Sequence, residues 1–476
     1  MLTPPEKPVH WNVDDVVVTE PDVIRRAIGA AAIGNITEWY DFGVYAYFEP
    51  TIKKVFFSGL GDTVGTVATF GLFAVAFLVR PFGGMFFGPL ADRIGRNKVL
   101  AITMIMMAGG TFVIGCIPSR ASIGIGAPLL LLVARLLQGF STGGEYGNAM
   151  TFIAEYAPDR KRGFLGSWLE FGTFTGYLLG AVLVTVADAV LTEHQLLTWG
   201  WRIPFFVALP LGLVGVYLRS KLADTPAYAA LEKESEKREK DKAGKDIRTL
   251  LRIWPFLLVC MGLVIVWNVT NYMLTSYMPT YVSDTVPNAQ GGGVSSTTSQ
   301  VLQIIVMAVA LCTIPFLGRL SDRVGRKPIA WTGVGLLIVL AFPMVLLIQA
   351  GSVIGVFLGL LLMGLALICF SSTMPSTLPA LFPTEVRGAG LSVSFNVAVS
   401  LFAGTTSVAV GGLVGLTGDL NWPAYYLIAA GIVGAVALWF LQEPNGRRMW
   451  GSAPAAGSQD EAREVVEHQD REAVPA

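Results

Sequence analysis

Charge is scarce in this chain. Only 14% of its 476 residues are Asp, Glu, Lys or Arg, where a soluble domain carries about a quarter, and 53% are hydrophobic. A water-facing surface of ordinary size cannot be built from so few charges. Nor does the balance lean either way: 34 basic residues face 34 acidic ones, so the electrostatic footprint of a nucleic-acid binder is missing. Histidine is nearly absent. His10, His194 and His468 all fall outside the long apolar stretches, which leaves acyl transfer without a buried imidazole, and no glycine-rich phosphate loop is present to hold a nucleotide. An enzyme and an ATP-driven pump are both disfavoured. Cys116, Cys260, Cys312 and Cys369 stand singly in apolar runs without metal-ligand spacing; they read as packing residues, and neither a metal nor an organic cofactor is expected. The first 22 residues lack the charged, then apolar, then small order of a signal peptide, so the first spanning helix is expected to direct insertion and stay.

What is present is a repeat. Gly88-Pro-Leu-Ala-Asp-Arg-Ile-Gly-Arg-Asn-Lys-Val-Leu100 returns as Gly318-Arg-Leu-Ser-Asp-Arg-Val-Gly-Arg-Lys-Pro328, each copy wedged between two long apolar stretches. So many charges cannot lie in hydrocarbon, so each copy is a tight turn at a membrane surface between two spanning helices. A second pair agrees with the first: Pro158-Asp-Arg-Lys-Arg-Gly163 and Pro383-Thr-Glu-Val-Arg-Gly388. Two homologous halves with a binding site between them is a common plan for secondary transporters.

With about 20 apolar residues needed per span, the chain predicts twelve helices: 24–48, 66–90, 99–118, 127–155, 163–187, 202–219, 253–280, 300–318, 328–348, 353–381, 388–416 and 423–441. The expected fold is an all-α integral membrane protein of two pseudo-symmetric six-helix bundles, 24–219 and 251–441. Around them lie an N-terminal segment (1–23), a charged, partly helical linker (220–250) and a disordered tail (442–476). Lys and Arg crowd the loops after the even-numbered helices 2 to 10, whereas the opposite loops hold only Lys53, Lys54 and Arg120. By the positive-inside rule both termini are cytoplasmic, in a multi-pass protein of the cell membrane. Gly172, Gly176 and Gly180 recur every fourth residue and predict a close helix contact.

Glu38, Asp41, Arg80, Arg135, Glu145 and Glu170 all lie inside predicted spans of the first half. Each costs at least ~2.5 kcal/mol at mid-membrane, so each should face a partner or a cavity. Asn35, Glu38, Asp41 and Tyr45 share a face of helix 1, and Arg135, Gln138, Thr142 and Glu145 share a face of helix 4. Two facing polar stripes predict a lined cavity, with Asp41 and Arg135 as a charge pair and Glu38 or Glu145 as further titrating groups. Static ion pairs that fix helix register are the alternative, most of all for Glu170 and Arg80. The second half contributes Trp267, Asn268, Asn271 and Tyr272 on helix 7, whose aromatic faces attract cations, while Tyr281 near the end of that helix suits an interfacial aromatic belt.

The Asp-Arg-x-Gly-Arg turns, twelve spans and charged central linker resemble the major facilitator superfamily across almost the whole chain. Gly34-Asn-Ile-Thr-Glu-Trp-Tyr-Asp-Phe-Gly43, Arg80-Pro-Phe-Gly-Gly84, Gln138-Gly-Phe-Ser-Thr-Gly-Gly-Glu145 and Trp199-Gly-Trp-Arg-Ile-Pro-Phe205 are similar to its metabolite:proton symporter branch. Gly163-Phe-Leu-Gly-Ser-Trp168, Tyr272-Met-Leu and Pro423-Ala-Tyr-Tyr-Leu427 resemble the proline and glycine betaine carriers within that branch. The resemblance implies a central cavity between helices 1, 4, 7 and 10, open alternately to each side, and cytoplasmic gating loops built on Asp92, Arg93 and Arg96 and on Asp322, Arg323 and Arg326. It implies import of a small zwitterionic solute with a proton as coupling ion, sodium remaining open. A small organic acid such as 2-oxoglutarate and proton-driven export are the alternatives. A functional monomer in the lipid bilayer is expected, with a small-molecule substrate and no nucleic-acid partner. Two departures stand out. The tail lacks the long coiled coil of some proline/betaine carriers, and Trp267-Asn-Val-Thr-Asn-Tyr272 replaces their Thr-Asn-Val-Thr-Tyr-Tyr.

Overall fold

The protein is described from a computed structural model that covers residues 11–19, 21–94, 96–143, 145–223, 253–287, 293–384 and 386–472. Hydrocarbon offers no partners to a polypeptide backbone, so apolar stretches of this length must bond internally as helices. Among the described residues eight helices are long and apolar enough to cross a membrane. A bent pair, two shorter apolar helices and a first helix diluted by Asn35, Glu38 and Asp41 supply the remaining columns.

In chain order these are α1 (Pro21–Tyr47), α2 (Asp62–Ile94), α3 (Arg96–Cys116), α4 (Gly126–Ser141, continuing as Glu145–Tyr156), α5 (Arg162–Val190) and α6 (Arg202–Ala223). The second half holds α7 (Trp254–Thr285), α8 (Ser296–Val324), α9 (Arg326–Gln349), α10 (Val353–Thr377), α11 (Arg387–Thr417) and α12 (Trp422–Phe440). The predicted linker falls largely on 224–252, outside the described residues.

Local chemistry sets the ends. Ser295 and Ser352 accept from the amides of Thr298 and Gly355, capping α8 and α10. A single residue, Gly325 at φ +99°, turns α8 into α9, which explains the glycine of the second repeated turn: other residues rarely adopt that conformation. Three spans are irregular. α4 breaks at Thr142. α7 widens to i→i+5 turns at Met273–Tyr277 and Tyr281–Thr285, on both sides of Pro279, which has no amide to donate. α11 does the same at Val399–Ala403, where Gly404 donates to Val399. Such bulges concentrate at functional sites.

Within the first half α1 lies along α5, with Gly172, Gly176 and Gly180 at the crossing. A Cβ on Gly176 would come within 2.5 Å of the Ile36 carbonyl, so backbone meets backbone there as the glycine spacing predicts. The halves meet along two seams, α5 against α8 and α10, and α2 against α11.

Both ends of the inter-half boundary are closed. At the end that carries the termini, the Asp322 carboxylate accepts from the first amides of α5, Gly163 at 2.7 Å and Phe164 at 2.8 Å, where the helix N-terminus favours an anion. Arg387 pairs with Glu155 at 2.8 Å. Arg326 is fully buried 3.6 Å from Asp322, whereas Arg323 is exposed. The side chains of Asp92, Arg93 and Arg96 lie outside the described residues. At the far end Lys53 pairs with Asp284 at 3.3 Å and Thr280 donates to Glu49.

Two expectations need correction. The chain after Glu443 is ordered as far as residue 472. Glu443 caps α9 by accepting from Arg326 and Lys327 at 2.9 Å, Trp450 packs on Phe256, and Ala455–Ala456 pairs in parallel with Val17–Val18. A final helix, α13 (Gln459–Glu472), lays Ala462 and Val466 on Val16. Its few apolar side chains, too sparse for a coiled coil, suffice against the N-terminal segment. Tyr281 is no interfacial anchor either. It is buried, donating to the Leu420 carbonyl at 2.7 Å.

Candidate functional site

Two polar clusters occupy the middle of the protein. The first lies within the first half. Arg135, 1% exposed, directs its guanidinium to the carbonyls of Leu72 (3.2 Å) and Phe73 (3.4 Å) and to Gln138 (2.9 Å), while Gln138 donates on to Thr111. The ring of Tyr45 lies under the guanidinium at 4.2 Å, and the Tyr45 hydroxyl donates to the Thr69 carbonyl. Asp41 is buried beside this group, and neither of its oxygens has a hydrogen-bond partner. The expected Asp41–Arg135 contact is therefore not made. Neutral carbonyls and an amide already give each nitrogen of the arginine a partner, so Asp41 acts on it through the field and not through a hydrogen bond.

The second cluster lies at the seam. Glu38 and Arg80, each 2% exposed, meet at 3.4 Å. Arg80 sits over the rings of Phe77 (4.5 Å), Phe42 (4.9 Å) and Trp39 (5.8 Å). Trp39 adjoins Tyr177 at 5.4 Å, Tyr146 at 6.1 Å and, across the boundary, Tyr272 of α7 at 6.3 Å. Tyr146 stacks on Phe395 of α11 at 5.1 Å, approaches Trp267 at 6.2 Å, and donates to Glu170. Trp267 is fixed by donating to Ser371 of α10 at 3.0 Å. Helices 1, 4, 7 and 10 thus all contribute, joined by α2, α5 and α11.

The remaining candidates scatter. Asn35 binds α5 through Leu169 and Thr173. Asn268 and Thr142 bond within their own helices. Asn271 is buried with its Oδ1 unpartnered, and the side chain of Glu145 lies outside the described residues. Sequence reasoning missed Trp39, Tyr146, Tyr177, Phe395 and Ser371, and left Arg80 outside the site. Trp39 and Tyr146 each adjoin a flagged acid, and that adjacency is the signal that was present. Among the described residues no group of His, Cys, Asp and Glu is arranged to hold a metal ion.

Comparison with known proteins places this geometry. The family model described as Major Facilitator Superfamily matches residues 31–401 and 292–467. The glycine betaine/proline/ectoine/pipecolic acid transporter OusA of Dickeya dadantii is 45% identical over 464 residues, 96% of this chain and 91% of its own length. The proline/betaine transporter of Escherichia coli K12 is 45% identical over 475 residues, covering 98% of this chain and 92% of its own. A proton:xylose symporter, XylE, solved with 6-bromo-6-deoxy-D-glucose, superposes with a TM-score of 0.71 at 19% identity, over 94% of this chain and all of that one. That last likeness is one of fold. The chain is a multi-pass membrane protein with the twelve-span fold and belongs to the major facilitator superfamily.

Proposed function

We propose that the chain imports small zwitterionic compatible solutes, of the proline, glycine betaine and ectoine kind, together with protons by alternating access. The observation that carries this reading is the seam itself. Aromatic faces from both halves converge beside the buried Arg80–Glu38 pair, and contacts that can break independently close the boundary at each end. Quaternary ammonium suits such faces, and the printed names of the two bacterial relatives include solutes of that class. Lys and Arg in the loops orient both termini to the cytoplasm. One copy suffices, because both halves of the route belong to one chain.

A zwitterion is neutral, so each proton that enters with it carries one positive charge inward. At ~2.3 kcal/mol per charge per 100 mV, the membrane potential alone sustains roughly fiftyfold accumulation. The test is uptake of radiolabelled proline, betaine, ectoine and 2-oxoglutarate in one transport-deficient host. The zwitterions should accumulate and alkalinise the medium. Concentration of 2-oxoglutarate with no uptake of the zwitterions would sink the reading.

Trp267 should separate the substrates. Proline can hydrogen-bond through its N–H groups, whereas a quaternary ammonium has none and depends on aromatic faces. In Trp267→Ala, uptake competition should show glycine betaine losing up to about thirtyfold in affinity, a desolvated cation–π contact of about 2 kcal/mol, and proline losing less. Equal losses would argue against a cation-specific contact.

A further inference from the structure

We propose that Arg80 anchors the substrate's carboxylate, and that Glu38 is the group this carboxylate displaces, so that solute and proton load as a pair. The inference rests on the zwitterion reading above and deepens it.

Among the described residues two buried arginines, Arg80 and Arg135, lie in the two central clusters, and their surroundings separate them. Each guanidinium nitrogen of Arg135 already has a partner, in Leu72, Gln138 and Phe73. Arg80 makes one hydrogen bond among the described residues, a long one of 3.4 Å to Glu38, and its Nε has no partner. Good charge-assisted bonds run at about 2.7–2.9 Å, so the Arg80–Glu38 contact is loose and exchangeable. Three more buried donors without partners stand around it: the indole N–H of Trp39 and the hydroxyls of Tyr177 and Tyr272. The rings of Tyr177 and Tyr272 flank Trp39. These donors come from α1, α2, α5 and α7, so the set completes only when the halves close together.

A buried donor left unmade costs about 1–3 kcal/mol, and four in one place call for a ligand rich in acceptors. A carboxylate is such a ligand, with two oxygens and about four lone-pair sites. The cationic end of a zwitterion then reaches Tyr146, whose ring lies 6.1 Å from Trp39, and Trp267 beyond it.

Displacement supplies the coupling. When the carboxylate takes the guanidinium, Glu38 loses that countercharge in a buried site, and a proton from the open aqueous side binds its oxygen. Release of the solute returns Arg80 to Glu38 and frees the proton on the other side. The ionisable groups facing Glu38 include Arg80 on α2, Asp41 on α1, Tyr146 on α4, Tyr177 on α5 and Tyr272 on α7, with Glu170 behind Tyr146. α6 packs on another side of α1, where Gly212 and Gly215 meet Thr37.

The test compares glycine betaine with choline, which keeps the quaternary ammonium and lacks the carboxylate, by equilibrium binding to purified full-length protein. Wild type should prefer betaine. Arg80→Gln should bind betaine roughly 10- to 100-fold more weakly and lose the preference, as expected for a lost bond to a charged group. In weak buffer with a pH indicator, betaine binding to wild type should take up a proton, and Glu38→Gln should bind betaine without doing so. A preference retained in Arg80→Gln, or proton uptake retained in Glu38→Gln, overturns the proposal. Should Arg80→Gln fail to fold, the proton measurement on Glu38→Gln decides alone. Wild type that binds no zwitterion sinks the substrate reading itself, which the variant outcomes do not touch.

Discussion

Asp41→Asn leaves proteoliposomes able to equilibrate their substrate and unable to concentrate it. Asp41 is buried with both oxygens unpartnered, and an ion in that position costs several kcal/mol that no hydrogen bond returns. A proton removes the cost while the site is closed, and water removes it when the site opens, so opening and protonation become linked. Asparagine imitates the protonated acid in shape and charge but cannot release a proton. Solute counterflow, which needs only alternation of the loaded carrier, should therefore continue, while the roughly fiftyfold gradient that 100 mV supports should fall to about one. Full potential-driven accumulation by the variant would remove Asp41 from the coupling. Parallel loss of counterflow and accumulation would make it a packing residue.

The architecture was legible because hydrocarbon imposes a coarse rule. Apolar length and Lys/Arg placement set the twelve spans, and the two Asp-Arg-x-Gly-Arg copies marked where each half repeats. The tail escaped because its order depends on long-range partners: Ala455–Ala456 finds Val17–Val18 from the other end of the chain, and the Asp159 carboxylate accepts from Ala455. Periodicity placed Glu38 and Asp41 on one face of α1 and so named the right helix. It could not say which arginine each would meet. That choice depends on how closely α2 approaches α4, which is not a property of one helix. The seam aromatics stayed hidden for a related reason. A Trp or Tyr in an apolar span looks alike whether it faces lipid, core or cavity, and only the docking of two halves tells them apart.

That approach of α2 to α4 is itself open to test through two glycines that a sequence reading would treat alike. A Cβ added to Gly139 on α4 would lie 2.0 Å from the Ala76 carbonyl oxygen of α2, whereas one added to Gly71 on α2 would meet nothing within 4 Å. Alanine favours an isolated helix over glycine by about 1 kcal/mol, so propensity alone predicts that both Gly→Ala changes stabilise. Packing reverses one of them. Gly71→Ala should leave the thermal midpoint level or slightly raised. Gly139→Ala must push two backbones apart in a close-packed interior, at a cost of typically 1–3 kcal/mol and more where the atom met is main chain, and its midpoint should fall in thermal unfolding of the purified protein. The consequence extends to function, because one turn along the same interface Gly143 would place a Cβ 2.1 Å from the Arg80 carbonyl. Glycine at these positions holds α2 where Arg80 can reach both Glu38 and the seam, so Gly143→Ala should weaken betaine binding more than choline binding. Equal midpoints for Gly71→Ala and Gly139→Ala would mean that the helices have room to separate, and that something other than backbone contact positions the arginine.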